Sequence, residues 1–537
     1  MERRLFIFRP GQTLFILSLL VALLFGCGGG GGGSGGTNPP NNPPPGGGNP
    51  GTPNADPPSV VSTKPQEGET VSVDALIEIT FTKSMDPSTF QTAIQGLGNV
   101  GYDAICVADT DCKIIRLSHK TDLEYNSSYT LTLLADVRDE DGNLLSSPYV
   151  WSFKTEVFVP DLSFARTTID GFDGKNSGEC TAIAVDSTGT VHIVYYSEED
   201  GSPKHAFCFS GEDCSAPENW DVQFIEDPSQ DEKRGRDINL AIDMITDTLH
   251  VSYRDVDPPK PGVIGDNKGV LKYVKGVKNG ADWDWSPVPV IVDDTENGVT
   301  DTYIAFHAGS VHISYRKVGA VSSDDVIAYA TCSSSCDSSG GWDILDGDHG
   351  NHAGSPNHIV VTNSAVHISY YLDGTMKYVT CSLSNDCLQL VNWTPIIVDD
   401  GEAGQFDVGT ENSLAVDNNG MVHLTYRDNT NGLLKYTRCQ GGCEDPIAID
   451  AAGGSSQIKV SGNVLHVSYR NDDNKNLKYA VCPGNCLDAG SWFTYTIDAP
   501  GEVGLDTYLA VETNGTVHIS YRAAGDDEDL KYARGIP

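Results

Sequence analysis

A five-residue spine recurs seven times across residues 160–537: an apolar residue, His, an apolar residue, a small or apolar residue, then Tyr. The histidines are His192, His250, His312, His367, His423, His466 and His518. The tyrosines are Tyr195, Tyr253, Tyr315, Tyr370, Tyr426, Tyr469 and Tyr521. Successive histidines lie 58, 62, 55, 56, 43 and 52 residues apart. A fixed motif at this period marks a repeat architecture, whose units bury their faces only against one another.

Each unit reads as four short strands. An inner strand precedes the spine, as in Thr181–Val185, Ser413–Val416 and Tyr508–Val511. The spine is the second strand. A third carries Lys-Tyr, as in Lys272-Tyr273 and Lys435-Tyr436, and a fourth ends in an apolar residue and Asp, as in Pro395–Asp399. Seven antiparallel units of this kind predict an all-β chain built on a seven-bladed propeller. The last unit stops after a third strand, Leu530–Ala533, while Phe164–Asp170 stands alone as a fourth. Pairing the two closes the ring and removes both exposed edges. A linear solenoid would leave them unpaired.

The side chains that tempt a chemical reading are copies of repeat positions. His and Tyr of the spine are three apart and belong to opposite strand faces, so each serves a different neighbouring blade. Seven such histidines around a ring do not converge on one metal. One residue past each Tyr stand Arg254, Arg316, Arg427, Arg470 and Arg522, with Tyr196 and Tyr371 in the other two units. These arginines are candidate ligand-facing groups; ion pairs with loop acids are the alternative. The acidic, Gly-rich loops between units gather on one face of the ring. Asp294, Asp301, Asp400 and Asp407 are candidate Ca²⁺ ligands there, since calcium takes six to eight oxygens, although no EF-hand spacing occurs and no cofactor is required. The alternative is a hydrated acidic face. The most irregular loop is Asp255–Gly269. Against 74 Asp and Glu stand 35 Lys and Arg, a formal charge of -39, which excludes nucleic acid as a partner.

Five cysteine pairs fall in the hairpins after third strands: Cys208 with Cys214, Cys332 with Cys336, Cys381 with Cys387, Cys439 with Cys443, and Cys482 with Cys486. Cys106 and Cys112 form a sixth pair upstream, and Cys180 is left over. Disulfides of this kind belong to an oxidising, exported compartment. The N-terminus fits export: Arg3, Arg4 and Arg9 precede an apolar run from Leu14 to Phe25 that is too short for a comfortable transmembrane helix. Residues 1–26 thus read as a signal peptide. Residues 27–56, dominated by Gly and Pro, read as a flexible tether that cannot fold. Alternating runs at Ala75–Phe81, Ile114–Leu117, Ser128–Leu134 and Tyr149–Phe153 predict a β-sandwich over residues 57–155.

Three resemblances extend this reading. Leu24-Phe25-Gly26-Cys27 resembles a bacterial lipobox. It implies cleavage before Cys27, acylation of that cysteine, and a lipid membrane as partner. Gly28 at the next position implies retention at the outer membrane of a Gram-negative cell. Residues 57–155 resemble the bacterial Ig-like domain of surface-layer proteins through Thr63-Lys64-Pro65, Met85-Asp86-Pro87, Asp141-Gly142-Asn143 and Trp151-Ser152-Phe153; the resemblance implies a spacer. The C-terminal units loosely resemble sialidase-type repeats, a class that holds a substrate carboxylate with three arginines. They lack its Ser-x-Asp-x-Gly-x-x-Trp box, their arginines occupy one repeated position, and no carboxylate pair stands out. The expectation is therefore an envelope-anchored lipoprotein that presents its propeller to a glycan or protein and is not an enzyme. The alternatives are a glycan-active hydrolase or lyase, and a structural envelope component.

Overall fold

The computed structural model describes residues 56–536, apart from 99, 109, 126, 157–161, 172–175, 229–233, 257–268, 281, 402–406, 500 and 525–527. Cys27, the apolar leader and the tether lie outside the described residues, as does most of the Asp255–Gly269 loop.

The first folded region is a two-sheet sandwich. One sheet orders Val60–Lys64, Ile77–Phe81, Ile114–His119 and Tyr102–Cys106; the other orders Thr70–Val71, Tyr149–Thr155, Ser128–Leu133 and Ile94–Gln95. Strand alternation places Ile77, Ile79, Phe81, Ile115, Leu117, Leu131, Trp151 and Phe153 between the sheets, each buried. Periodicity overlooks Val60–Lys64 and Tyr102–Cys106, which are edge strands with one buried residue each.

Seven antiparallel sheets follow, the blades of the propeller. Their first strands are Ser177–Val185, Arg234–Asp243, Val299–His307, Asn357–Val361, Val408–Val416, Gly453–Ser461 and Glu502–Val511. Each pairs with a spine strand, which pairs with a third and that with a fourth. Blade 2 divides its fourth position between Asp282–Trp285 and Val290–Asp293. Blade 7 takes its fourth strand from the start of the region: Ser163–Asp170 runs antiparallel to Asp529–Ile536, with Thr167 opposite Tyr532.

The repeated side chains hold adjacent blades together. The face of a blade that carries its spine His also carries the residue two positions on, which is Ser or Thr in six blades. These hydroxyls cross to the first strand of the next blade: Ser252 to Thr302 at 2.5 Å, Ser314 to Asn357 at 2.5 Å and Ser369 to Asn412 at 2.7 Å. Thr425 accepts from Ser456, and Ser468 from Thr507. Ser520 meets Thr181, so the last blade is joined to the first as the others are joined. Six histidines are hydrogen-bonded through Nδ1 to the hydroxyl of the third-strand tyrosine of their own blade, at 2.6–2.9 Å. In blade 1 His205 takes that place and meets His192 at 3.0 Å.

The opposite face carries the spine tyrosine. Its hydroxyl donates to the carboxylate that ends the preceding fourth strand: Asp170, Glu226, Asp293, Asp348, Asp399, Asp450 or Asp498, at 2.6–2.8 Å. A lysine completes each group, Lys531 reaching Asp498 at 2.8 Å. Lys317 of the second strand does this in blade 3, where the third strand has Ala328. Burial alone would raise the pKa of Asp498, but hydrogen bonds from Lys531 and Tyr521 outweigh it and lower it. Asp498→Ala strands the amine of Lys531 in a largely buried place. A loss of about 3 kcal/mol is expected, against about 1 kcal/mol for Tyr521→Phe, both read from urea unfolding.

All six cysteine pairs are bonded, and Cys180 is free. In four blades the disulfide hairpin leads to a tryptophan whose Nε1 donates to the carbonyl of the second cysteine, at 2.8–3.2 Å. Those rings, Trp220, Trp342, Trp393 and Trp492, pack edge-on against Tyr532, Tyr273, Tyr329 and Tyr436 of the preceding blade. The short cross-linked loops thus place an aromatic wedge between blades.

Candidate functional site

Strand order sorts the connections onto two faces. Turns from first to second strands and the disulfide hairpins share one face. Loops that enter first strands share the other with the turns from second to third strands. First strands enter from this second face, and their opening residues line the central channel.

At one level of that channel the first strands slip register against their spine strands. A bulge of this kind bends the strand and re-aims a side chain. The bulged residue adopts left-handed backbone in six blades: Cys180, Asp237, Asp301, Glu411, Ser455 and Asp506, with φ between 48° and 54°. Pro356, after a cis bond, holds the place in blade 4. Two residues earlier the chain runs so close to the preceding blade that glycine is needed. A Cβ on Gly409 would lie 2.7 Å from the Met376 Cα, and φ there is +100°. These seven positions surround a cavity of about 220 Å³ whose rim carries Asp237, Asp301, Glu411 and Asp506.

Asp237 and Asp301, from adjacent blades, are directly linked: the Asp301 backbone N–H donates to Asp237 Oδ2 at 3.2 Å. Burial, then the neighbouring charge of Asp237, raises the pKa of Asp301 from its ordinary value, although Thr300 donates to it at 2.7 Å. Asp237 is ion-paired with Arg254 Nε at 2.8 Å.

The other arginines follow the same plan. Arg316 binds Asp325 at 2.5 Å and stands 4.0 Å from Asp301. Arg427 binds Asp472 and stands 3.9 Å from Glu411; Arg470 binds Asp472 at 2.9 Å. Arg522 binds both Asp506 and Glu528 at 2.8 Å. All five candidate arginines thus lie around the mouth, each engaged with an acid. Tyr196 lies beneath Arg236, and Tyr371 donates to Asp407 at 3.2 Å.

The floor of the cavity is a polar layer. Gln457 Nε2 donates to Tyr303 Oη at 3.4 Å across the channel, from blade 6 to blade 3. Tyr508 Oη donates to Asn239 Oδ1 at 3.3 Å, from blade 7 to blade 2. Ser413 donates to Gln457, and the His358 ring packs on Tyr303. These side chains plug the channel midway.

The four candidate calcium ligands are not brought together. Asp301 faces the cavity, Asp294 and Asp400 are exposed on separate loops, and Asp407 accepts from Tyr371 and Asn429. Among the described residues no group of three His, Cys, Asp or Glu side chains is placed to hold a metal. Conversely, sequence reasoning passes over Asp237, Glu411 and Asp506, and reaches Asp301 only as a loop acid. The available signal was a glycine two residues ahead of each bulge in six of the seven units, at 178, 235, 354, 409, 453 and 504.

Residues 54–155 match the bacterial Ig-like domain family. No curated protein matches the chain. Among solved structures it is similar to the polysaccharide lyase Uly1, at 12% identity and a TM-score of 0.43, over 66% of this chain and 89% of that one. It is also similar to the NanB sialidase from Streptococcus pneumoniae, at 12% identity and a TM-score of 0.41, over 86% and 83%. A third is the Aleuria aurantia lectin, at 11% identity and a TM-score of 0.36, over 62% and 98%. At this identity the likeness concerns the fold. The expectation that the chain is not an enzyme is nevertheless corrected: most of the similar structures are by name lyases or sialidases.

Proposed function

We propose that the channel mouth is the active site of a glycan-processing enzyme, a hydrolase or lyase, displayed from the cell envelope on a lipid-anchored Ig-like spacer. The observation that carries this reading is the Asp237–Asp301 pair. Two linked carboxyls in unlike surroundings are the usual means of supplying an acid and a base at one site. Asp301, with its raised pKa, holds a proton to give to a glycosidic or ring oxygen. Asp237, ion-paired with Arg254 at 2.8 Å, is the partner assigned to take one. The remaining wall suits a ligand dense in hydroxyls: Asn412, Ser456 and Thr507 line it with polar groups, and Tyr303 and Tyr508 offer rings at the floor. The arginines around the mouth are already engaged by acids, so among the described residues there a uronic or sialic acid finds no uncommitted arginine. Neutral and amino glycans are the favoured substrates.

The test is a panel of neutral, amino and acidic oligosaccharides, followed for new reducing ends and for unsaturated products. Turnover is expected on neutral or amino members. Asp301→Asn should lower kcat by about 100-fold with a smaller change in KM. The wild-type rate should fall as pH rises through the Asp301 pKa, because the working form is protonated. Absence of turnover across the panel, or full activity in Asp301→Asn, overturns the proposal.

A further inference from the structure

The residue before the carboxylate that ends each fourth strand is a branched aliphatic in six blades: Ile169, Ile225, Val292, Val398, Ile449 and Ile497. Blade 3, whose fourth strand is Asp343–His349, has Gly347 there. Without a side chain at this position a cavity of about 140 Å³ remains between blades 3 and 4, with Gly347 in its lining. Ile327, Tyr329 and Leu345 wall it from blade 3, and Ile368, Val379 and Trp393 from blade 4. It shares no lining residue with the cavity at the channel mouth. Two further departures mark the same place. The short 3₁₀ helix Leu390–Asn392 carries Leu390 and Val391, 55% and 88% exposed, where its counterparts before Trp220, Trp342 and Trp492 read Pro-Glu-Asn, Ser-Gly-Gly and Ala-Gly-Ser. Leu390 lines the cavity, which therefore opens to solvent across an apolar lip. The Asp348 carboxylate, also in the lining, is 38% exposed, against 2% to 22% for its six counterparts. Tyr370 and Lys377 both donate to its Oδ2, at 2.7 and 3.1 Å, so Oδ1 has no hydrogen-bond partner among the described residues.

We propose that this cavity is a binding site for a small free phenol. An apolar cavity of about 150 Å³ takes a guest the size of benzene, so the space here suits a single ring. Tyr329 and Trp393, edge-on to each other with ring centres 5.3 Å apart, supply aromatic walls that favour a ring over an aliphatic chain. One open acceptor in an otherwise apolar lining selects a guest with one donor, and a phenol hydroxyl donates to Asp348 Oδ1. Lys377 already neutralises that carboxylate, so the site calls for a neutral donor rather than a cation. A sugar would bring hydroxyls that these walls leave unpaired. The site does not depend on the glycan chemistry proposed for the mouth, and either reading stands if the other fails.

The probe is p-cresol, titrated calorimetrically into the full chain, with toluene in parallel. A Kd on the order of 0.1 mM is expected for p-cresol, well within the ceiling for a ligand of about eight heavy atoms, and a value about tenfold weaker for toluene, which has no donor. Gly347→Val restores the aliphatic side chain of the other blades and should abolish binding. Its Cβ would lie 2.8 Å from the Ile327 carbonyl oxygen, so Val379→Phe, which fills the space from the opposite wall, serves as a second variant with the same expected loss. Circular dichroism identifies the variants that keep the wild-type fold. The proposal is overturned if wild-type protein takes up no p-cresol at about 2 mM, if toluene binds as tightly, or if a folded variant binds p-cresol as the wild type does. The first two outcomes are read on the wild-type chain alone, whether or not either variant folds.

Discussion

Acidification from about pH 7 to about pH 4 is expected to remove on the order of 10 kcal/mol of stability from the propeller. The cause is the ring of buried histidines. Burial lowers the pKa of His250, His312, His367 and His466 to about 4. Each is 6–7% exposed. In the unfolded chain a histidine titrates near 6.5, so between about 6.5 and 4 the unfolded state takes up protons that the folded state refuses. The contribution is complete above about pH 6.5, declines through that window, and levels off below it. Each histidine supplies about 3 kcal/mol. A second decline follows at lower pH, because the pKa values of Asp170, Asp348, Asp450 and Asp498 are lowered in the fold. Those groups stabilise above their unfolded value of about 3.9, and the benefit disappears as pH falls through the folded values. Calorimetric melting temperatures at half-unit pH steps test this. A constant melting temperature from pH 6.5 to 4.5 would show that the histidines are not held neutral.

A chain that begins at Gly171 should melt on the order of 15 °C lower and aggregate on heating. Such a chain lacks the strand Ser163–Asp170. Its loss exposes the length of Asp529–Ile536 as an open edge. It also removes Asp170, which accepts from Tyr195 and Lys204, and Arg166, which binds Asp498 at 2.9 Å. Two of the groups that join blade 7 to its neighbours are therefore weakened at once. A synthetic peptide of residues 163–170 should restore part of the melting temperature. Identical melting of the shortened and full chains would show that the ring does not depend on this strand.

The fold was legible in the sequence because the groups that join the blades are the same residues in nearly every unit. His192 to His518 and Tyr195 to Tyr521 stand out since each solves the same packing problem seven times. The site was not legible for the opposite reason. The bulge position reads Cys180, Asp237, Asp301, Pro356, Glu411, Ser455 and Asp506, so no residue type repeats often enough to be noticed. What repeats there is a backbone conformation, and only the glycine two residues earlier betrays it. The arginines illustrate a third case. Their spacing is visible, but their acidic partners are drawn both from the following turn, as with Asp325, Asp472 and Glu528, and from the bulges, as with Asp237 and Asp506, and nothing in the spacing marks which acid each meets.

The layer that joins Gln457 to Tyr303 and Tyr508 to Asn239 makes the upper cavity a blind pouch. On the proposed function, a polymer is not threaded through it, and a product of cleavage backs out by the way it came. A long chain can offer this cavity only its tip, or lie across the rim without descending. For the glycan-processing role proposed above, such a dead end favours trimming from chain ends and short oligomers.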